Sequence, residues 1–190
     1  MICKRLFFVL LICFTVTTVK AQESFEKGSF LINAGAGFGN YGYYGFFSGL
    51  NFPLHASAEL GINEYLSVGP QFGLSTYSYN YFSTYNYRYT FLRFGGKAVF
   101  HYLPLAKELG IDGIDTEKLD FFVALNASFE TSRYTSDNPY SGNITTFSSR
   151  LPIGLSAGFR YYMTKNLGAY IESGAGLNAI LNFGITLKLK

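Results

Sequence analysis

The chain is poor in the residues that staple or ligate. Of its 190 residues only two are cysteine, Cys3 and Cys13, and both lie within the first 13 positions. Tryptophan is absent, there are five prolines, and only two histidines occur, His55 and His101. Removal of the N-terminal segment would leave no thiol, which excludes a disulfide framework and thiolate metal sites. Two histidines on different strands make a transition-metal centre unfavourable, so no metal or other cofactor is expected. Charge of one sign is also lacking. The net excess of three positive charges matches Lys4, Arg5 and Lys20, so without them 12 basic residues stand against 12 acidic ones. Without a basic stripe there is no case for nucleic acid as a partner. Beyond the start, no apolar run approaches the roughly 20 residues of a helical membrane span.

The start itself reads as an export signal. Lys4 and Arg5 precede an apolar run from Leu6 to Val16, and Val19-Lys20-Ala21 supplies a small-residue cleavage site. The expected division is a signal peptide over 1–21 and one domain over 22–190.

What the domain has in abundance is alternation, together with 16 Tyr and 20 Phe. Eight segments place apolar residues at every second position. They run over about 29–38, 54–63, 65–76, 88–103, 120–132, 149–163, 167–177 and 180–189. Residues 151–161 show the pattern well: Leu151, Ile153, Leu155, Ala157, Phe159 and Tyr161 share one face, and Pro152, Gly154, Ser156, Gly158 and Arg160 share the other. A period of two places these sets on opposite sides of a strand. Strands of roughly 9–11 residues, apolar outside and polar inside, are the signature of a transmembrane barrel. The fold class expected is therefore all-β, an eight-stranded antiparallel up-and-down transmembrane β-barrel in the outer membrane.

With the N-terminus in the periplasm, the outer loops fall at about 39–53, 77–87, 133–147 and 178–179. Asn63-Glu64 and Thr164-Lys165-Asn166 form short inner turns. The segment 104–119 is an inner connection with one helical turn near Leu105. Pro70 and Pro152 conflict with an unbroken wall, because proline gives no ladder hydrogen bond.

The inward set includes Glu59, Arg93, Lys97, His101, Glu130, Arg150, Arg160, Glu172 and Lys188, which implies a charged interior network with a modest positive excess. An eight-stranded bore is narrow enough to be filled by side chains, so these groups should pair: Glu172 with Arg160, and Glu130 with Arg150. His55, Ser57 and Glu59 make a weak candidate for a nucleophilic lipid enzyme, and no catalytic residue is assigned. The loops are dense in aromatics. Tyr43, Tyr44, Phe46, Tyr79, Tyr81, Tyr85 and Tyr87 are candidates for a recognition surface or an interfacial girdle.

On Asn33-Ala34-Gly35-Ala36-Gly37-Phe38-Gly39, Gly158-Phe159-Arg160-Tyr161-Tyr162-Met163-Thr164-Lys165-Asn166-Leu167 and the closing Asn182-Phe183-Gly184-Ile185-Thr186-Leu187-Lys188-Leu189-Lys190, the chain resembles small outer-membrane β-barrels of Gram-negative bacteria. That group is the OmpA/OmpX-like porin superfamily, including the Bacteroidetes-type outer membrane β-barrel domain. The resemblance implies a non-enzymatic structural or surface-interaction role. It also implies outer-membrane lipids, lipopolysaccharide and the outer-membrane assembly machinery as partners, with an extracellular glycan or protein as a further ligand. The alternatives are a narrow channel, a membrane-embedded lipid-modifying enzyme, and a secreted lipocalin-like binding barrel.

Overall fold

The computed structural model describes residues 24–39, 53–81, 85–110, 115, 117–138 and 142–189. The segment expected as a signal peptide and the candidate residues Tyr43, Tyr44 and Phe46 lie outside the described residues, as do the side chains of 78–87 and 136–144.

Among the described residues, nine strands and one helix follow in chain order. The strands are β1 (Phe30–Phe38), β2 (Leu54–Gly61), β3 (Leu66–Tyr81), β4 (Tyr85–His101), β5 (Leu119–Asn138), β6 (Gly142–Arg150), β7 (Ile153–Tyr162), β8 (Leu167–Gly174) and β9 (Leu181–Leu189). Helix α1 (Tyr102–Glu108) follows β4. From β1 to β5 each strand pairs antiparallel with the next, β7 pairs with β5 and β8, β8 with β9, and β9 with β1, so the sheet closes on itself. β6 and β7 both pair with β5, one above the other, and together form a single stave. The wall thus has eight staves, as the alternation predicts.

Register follows from the alternation. Ile32 faces Leu187 and Ala34 faces Ile185 on the outside of the β1–β9 seam, whereas Asn33 faces Thr186 and Leu31 faces Lys188 on the inside. A slip of one residue would put the charges into the apolar face.

The expected sixth strand, 149–163, is divided, and Pro152 divides it. Pro152 O accepts from Ser128 N at 3.1 Å, but the proline has no N–H to return. The ladder with β5 stops at Glu130↔Arg150 and resumes at Ala127↔Ile153 in the same register. Pro70 does the same between β2 and β3, where the ladder stops at Ser57↔Gln71 and resumes at Leu60↔Val68. The wall therefore takes in both prolines as short gaps in one ladder each, without a bulge.

The two ends differ. At one end Asn63 Oδ1 accepts from the backbone N–H of Tyr65 and Leu66, both at 2.8 Å, and Thr164 Oγ1 accepts from that of Leu167 at 3.0 Å. These are the short turns expected on the inner side. At the other end, the stretches expected as outer loops over 77–87 and 133–147 are mostly strand. β3, β4, β5 and β6 continue past the rim as a four-stranded sheet, with Tyr79 opposite Tyr87 and Tyr134 opposite Thr146.

Both ends are stoppered. At the inner end Phe25 is buried and stacks on His101, with ring centroids 3.5 Å apart and planes 8° from parallel. Its segment is tied down by Gly28 N–H to Gly61 O (3.0 Å) and Gly61 N–H to Ser29 O (2.8 Å). At the outer end, the connection expected as a two-residue loop at Asn178-Ala179 runs over 175–180 and turns into the bore. Leu177, Asn178 and Ala179 are buried. Asn178 Nδ2 donates to Leu54 O at 2.7 Å, and Ser75 Oγ donates to Asn178 O at 3.4 Å. Glycine makes the room: a Cβ on Gly37 would lie 2.3 Å from Ala179 Cβ, and one on Gly73 would lie 2.9 Å from Asn178 Cβ.

Candidate functional site

The inward positions of the staves bring the predicted charged residues together, with two corrections. Arg160 Nη2 donates to Glu59 Oε1 and Oε2 at 2.7 and 2.9 Å, and its Nη1 donates to Asp120 Oδ2 at 2.7 Å. Lys97 Nζ donates to both Glu172 oxygens at 3.1 Å and lies 3.6 Å from Glu59 Oε1. Glu172 therefore takes Lys97, and the expected pair of Glu172 with Arg160 does not form. Between the two clusters lies the Phe122 ring, 4.3 Å from Arg160 Cζ and 5.4 Å from Lys97 Nζ. Asn33, Ser67 and Ser156 donate further hydrogen bonds to Glu59 and Glu172.

The second correction concerns charge. Asp120, absent from the predicted set, is wholly buried, and Arg150 is not in the bore. Arg150 stands at the mouth with its side chain 53% exposed, and its Nε donates to Glu130 Oε1 at 2.5 Å. The expected Glu130–Arg150 pair is present, and Arg93 binds the other oxygen of the same carboxylate. The described bore thus holds Arg93, Lys97, Arg160 and Lys188 against Glu59, Asp120, Glu130 and Glu172. Balance replaces the expected positive excess. A buried unpaired charge is very costly, whereas Arg93, Lys97 and Arg160 are each ion-paired and hydrogen-bonded to these carboxylates, and Lys188 Nζ lies 5.9 Å over the Tyr162 ring.

His55, Ser57 and Glu59, the weak catalytic candidate to which the sequence assigned no role, stay apart. His55 Nδ1 is hydrogen-bonded to Tyr170 Oη at 3.1 Å, and Ser57 Oγ accepts from Asn33 Nδ2 at 3.0 Å. They do not meet. The contact that does have the order of a nucleophile, base and acid lies lower. Ser67 Oγ is 3.0 Å from His101 Nε2, and His101 Nδ1 donates to Asp120 Oδ1 at 2.9 Å. Sequence spacing could not reveal it, because the three residues sit on three strands. All three have no exposed surface, Ser67 is also bonded to Glu59, and Phe25 covers the ring. A reacting carbonyl needs a position about 3 Å from the nucleophile and from oxyanion donors, and Phe25 and Glu59 occupy that space. The arrangement is a structural relay. Among the described residues no cluster of three or more His, Cys, Asp or Glu has the form of a metal site.

The outer face has the opposite character. Leu54, Leu60, Phe94, Val123, Leu125 and Ile185 are each exposed, at between 48% and 56% of their surface. Large apolar side chains outside and paired charges within suit lipid outside the wall, and a closed barrel satisfies its backbone groups there. A soluble lipocalin-like barrel would need the reverse. The chain has the architecture of a transmembrane β-barrel.

No protein-family model and no curated protein sequence matches the chain. Among solved structures, Ail, the attachment invasion locus protein of Yersinia pestis, is similar at 11% identity, over 85% of this chain and 95% of that one, with a TM-score of 0.48. The N-terminal β-barrel domain of Pseudomonas aeruginosa OprF is similar at 16% identity, over 87% and 100%, with a TM-score of 0.45. Neisserial surface protein A is similar at 15% identity, over 85% and 94%, with a TM-score of 0.43.

Above the stoppered mouth, the inner face of the protruding sheet carries aromatic side chains. Tyr77 meets Phe91 edge-on with centroids 6.0 Å apart, and Tyr89 lies 4.7 Å from Tyr134. Arg93, Glu130 and Arg150 lie at its foot. Of the residues picked from the sequence for recognition, Tyr79, Tyr81, Tyr85 and Tyr87 fall on the same two strands, so they belong to sheet and not to loops. Phe91, Tyr89 and Tyr134 were missed because they lie within segments read as membrane strand or loop. Their shared register with Tyr77 was the signal that could have found them.

Proposed function

We propose that this chain is a non-enzymatic outer-membrane barrel that displays the sheet of β3, β4, β5 and β6 to the outside as a recognition surface. The observation that carries this reading is the contrast between the two ends. One end has tight turns, while the other extends four strands beyond the apolar belt, the asymmetry of outer-membrane barrels. Tyrosine with Ser, Thr and Arg gives rigid rings beside adaptable hydrogen-bonding groups. Among the described residues, β6 pairs only with β5, so its other edge offers backbone groups to an extended segment of a partner protein. A protein ligand fits this edge, and the Tyr89–Tyr134 face also suits the ring of a glycan. Outer-membrane lipids and lipopolysaccharide surround the belt in this reading, and the envelope's assembly machinery inserts the barrel.

The channel reading is not favoured by the geometry. Phe25 below, the ion-paired layer in the middle, and Leu177 to Ala179 above leave three successive obstructions. The test of the recognition role is adhesion of cells carrying the intact barrel to surfaces coated with extracellular-matrix proteins or mixed glycans. A variant with 78–87 and 133–147 shortened to tight turns should still insert, shown by a heat-modifiable shift on a gel, and should lose adhesion. Unchanged adhesion by an inserted, shortened barrel would reject the role.

A further inference from the structure

On β3, β4 and β5 the apolar belt ends sharply on the tall side of the barrel, while on β6 Phe147 carries it one step further, opposite Arg133. On the outer face of β3, β4 and β5, Leu74, Leu92 and Thr131 lie at one level, and Thr76, Thr90 and Arg133 at the next. Below them the belt is aromatic, with Phe94 and Phe129 at 5.4 Å between ring centroids. Above Thr90 comes Arg88, which faces Thr135. Arg88 and Arg133 therefore stand on the same outward face of adjacent strands, diagonal to one another across the β4–β5 ladder. Diagonal neighbours of this kind are separated by about 7–8 Å, within reach of long side chains. Both are exposed, and neither has an ion-pair partner among the described residues. The bore arginines, by contrast, are all paired.

An outward arginine one step above a lipid-facing belt lies at the depth of lipid headgroups. Guanidinium is a planar donor whose fork matches phosphate oxygens, and two converging forks can hold one phosphate from both sides. We propose that Arg88 and Arg133 form a clamp for the phosphate of an outer-leaflet glycolipid, whose acyl chains lie against Leu92, Phe94 and Phe129. The proposal rests on the membrane reading above and adds a defined headgroup site to it. It orients the barrel as well, because the clamp fixes the height of the belt on the side where the sheet protrudes.

The test uses the full mature chain folded into phosphatidylcholine vesicles containing either bisphosphorylated lipid A or the same lipid with its phosphates removed. After mild detergent extraction, the glycolipid retained per protein is measured. The intact chain should retain the phosphorylated form preferentially, by roughly fivefold for each arginine engaged. Arg88→Gln with Arg133→Gln should abolish the preference while leaving the heat-modifiable shift intact. Arg88→Lys with Arg133→Lys should keep part of it, since charge remains and the fork is lost. Equal retention of both lipids by the intact chain, or a preference undiminished in the Gln variant, would overturn the clamp. Loss of the preference on adding millimolar inorganic phosphate would assign the site to a soluble anion and overturn the lipid assignment. Failure of the intact chain to insert at all would instead overturn the membrane reading.

Discussion

Arg160 on β7 grips both carboxylate oxygens of Glu59 on β2, at 2.7 and 2.9 Å, from the opposite side of the barrel. Strands β8, β9 and β1 separate these two in the wall. The pair is thus a spoke across the bore, and Asp120 on the adjacent β5 holds the same guanidinium from the side. Removing one partner strands the other charge in a dry interior. Glu59→Gln should cost about 3–5 kcal/mol. Replacing both, as Glu59→Leu with Arg160→Met, should cost less than Glu59→Gln alone. Urea unfolding in detergent micelles measures this, and a double variant weaker than both single ones would contradict the spoke.

The outer stopper depends on glycine at specific heights in the wall. Gly37 can accept no Cβ without meeting Ala179 at 2.3 Å and Asn182 Oδ1 at 2.6 Å. Gly37→Val should therefore push 175–180 out of the bore, with a loss of about 1–3 kcal/mol. Limited proteolysis with chymotrypsin should then cut at Leu177, which is 2% exposed in the intact chain. Equal resistance in the two proteins would show that the segment is not held by this contact.

A filled bore should not conduct. In planar bilayers the intact chain should give no stable single-channel steps, because Phe25, the layer around Phe122 and the 175–180 segment close the path in series. Discrete, long-lived conductance steps from purified protein would refute that account.

Much of the wall was readable in the sequence because a period of two has a direct physical meaning in a membrane. Each lipid-facing position had to be apolar, so the faces of β1, β2, β8 and β9 could be assigned from Ile32, Ala58, Ile171 and Ile185 alone. Partners across the bore could not be read. Arg160 chooses between Glu59, Asp120 and Glu172 by strand tilt and rotamer reach, which periodicity does not encode. Asp120 was passed over because it opens its strand beside the 104–119 connection. The upper strands were misread as loops for a related reason: once outside lipid, the outward face turns to Thr76, Thr90 and Arg133, and the apolar contrast that marks a strand disappears. The inward fold of 175–180 left its trace in Gly37, Gly73 and Gly154, which look like ordinary bore glycines until the segment beside them is known.

At the inner rim, Tyr65 donates a short hydrogen bond to Glu108 Oε1, linking the β2–β3 turn to α1. This bond to a carboxylate, with smaller contributions from desolvation and from the charges of Glu108 and Glu64, pushes the phenol up to about 12 from its ordinary 10.0. The folded chain therefore holds this proton more tightly than the unfolded one. The link is complete below pH 10 and is lost as pH rises toward 12. In an ultraviolet difference titration against Tyr65→Phe, the missing tyrosinate should be one that appears late, near pH 12. A difference appearing near pH 10 would mean that the phenol is free of Glu108.

Proline in a barrel wall gives a last prediction, because Pro70 and Pro152 use the same device. Each interrupts one ladder for two residues while the register on both sides stays constant, from 57↔71 to 60↔68 and from 130↔150 to 127↔153. The missing donor has therefore been absorbed locally, and the backbone on either side already has strand geometry. Pro152→Thr supplies an N–H facing Ser128, whose own N–H already bonds Pro152 O at 3.1 Å. The variant should gain one hydrogen bond, worth about 1 kcal/mol at most, and β6 should join β7 as one continuous strand. Leu125→Pro is the counterpart. Leu125 pairs with Ala98 on one side and Leu155 on the other, so proline there removes a bond from an uninterrupted ladder and should cost about 3 kcal/mol or more. Amide exchange at the residue-152 position and unfolding midpoints in detergent distinguish the cases. If Pro152→Thr destabilises as much as Leu125→Pro, the proline is holding a bend that the stave requires, and the division into β6 and β7 is itself a constraint on the sheet above the membrane.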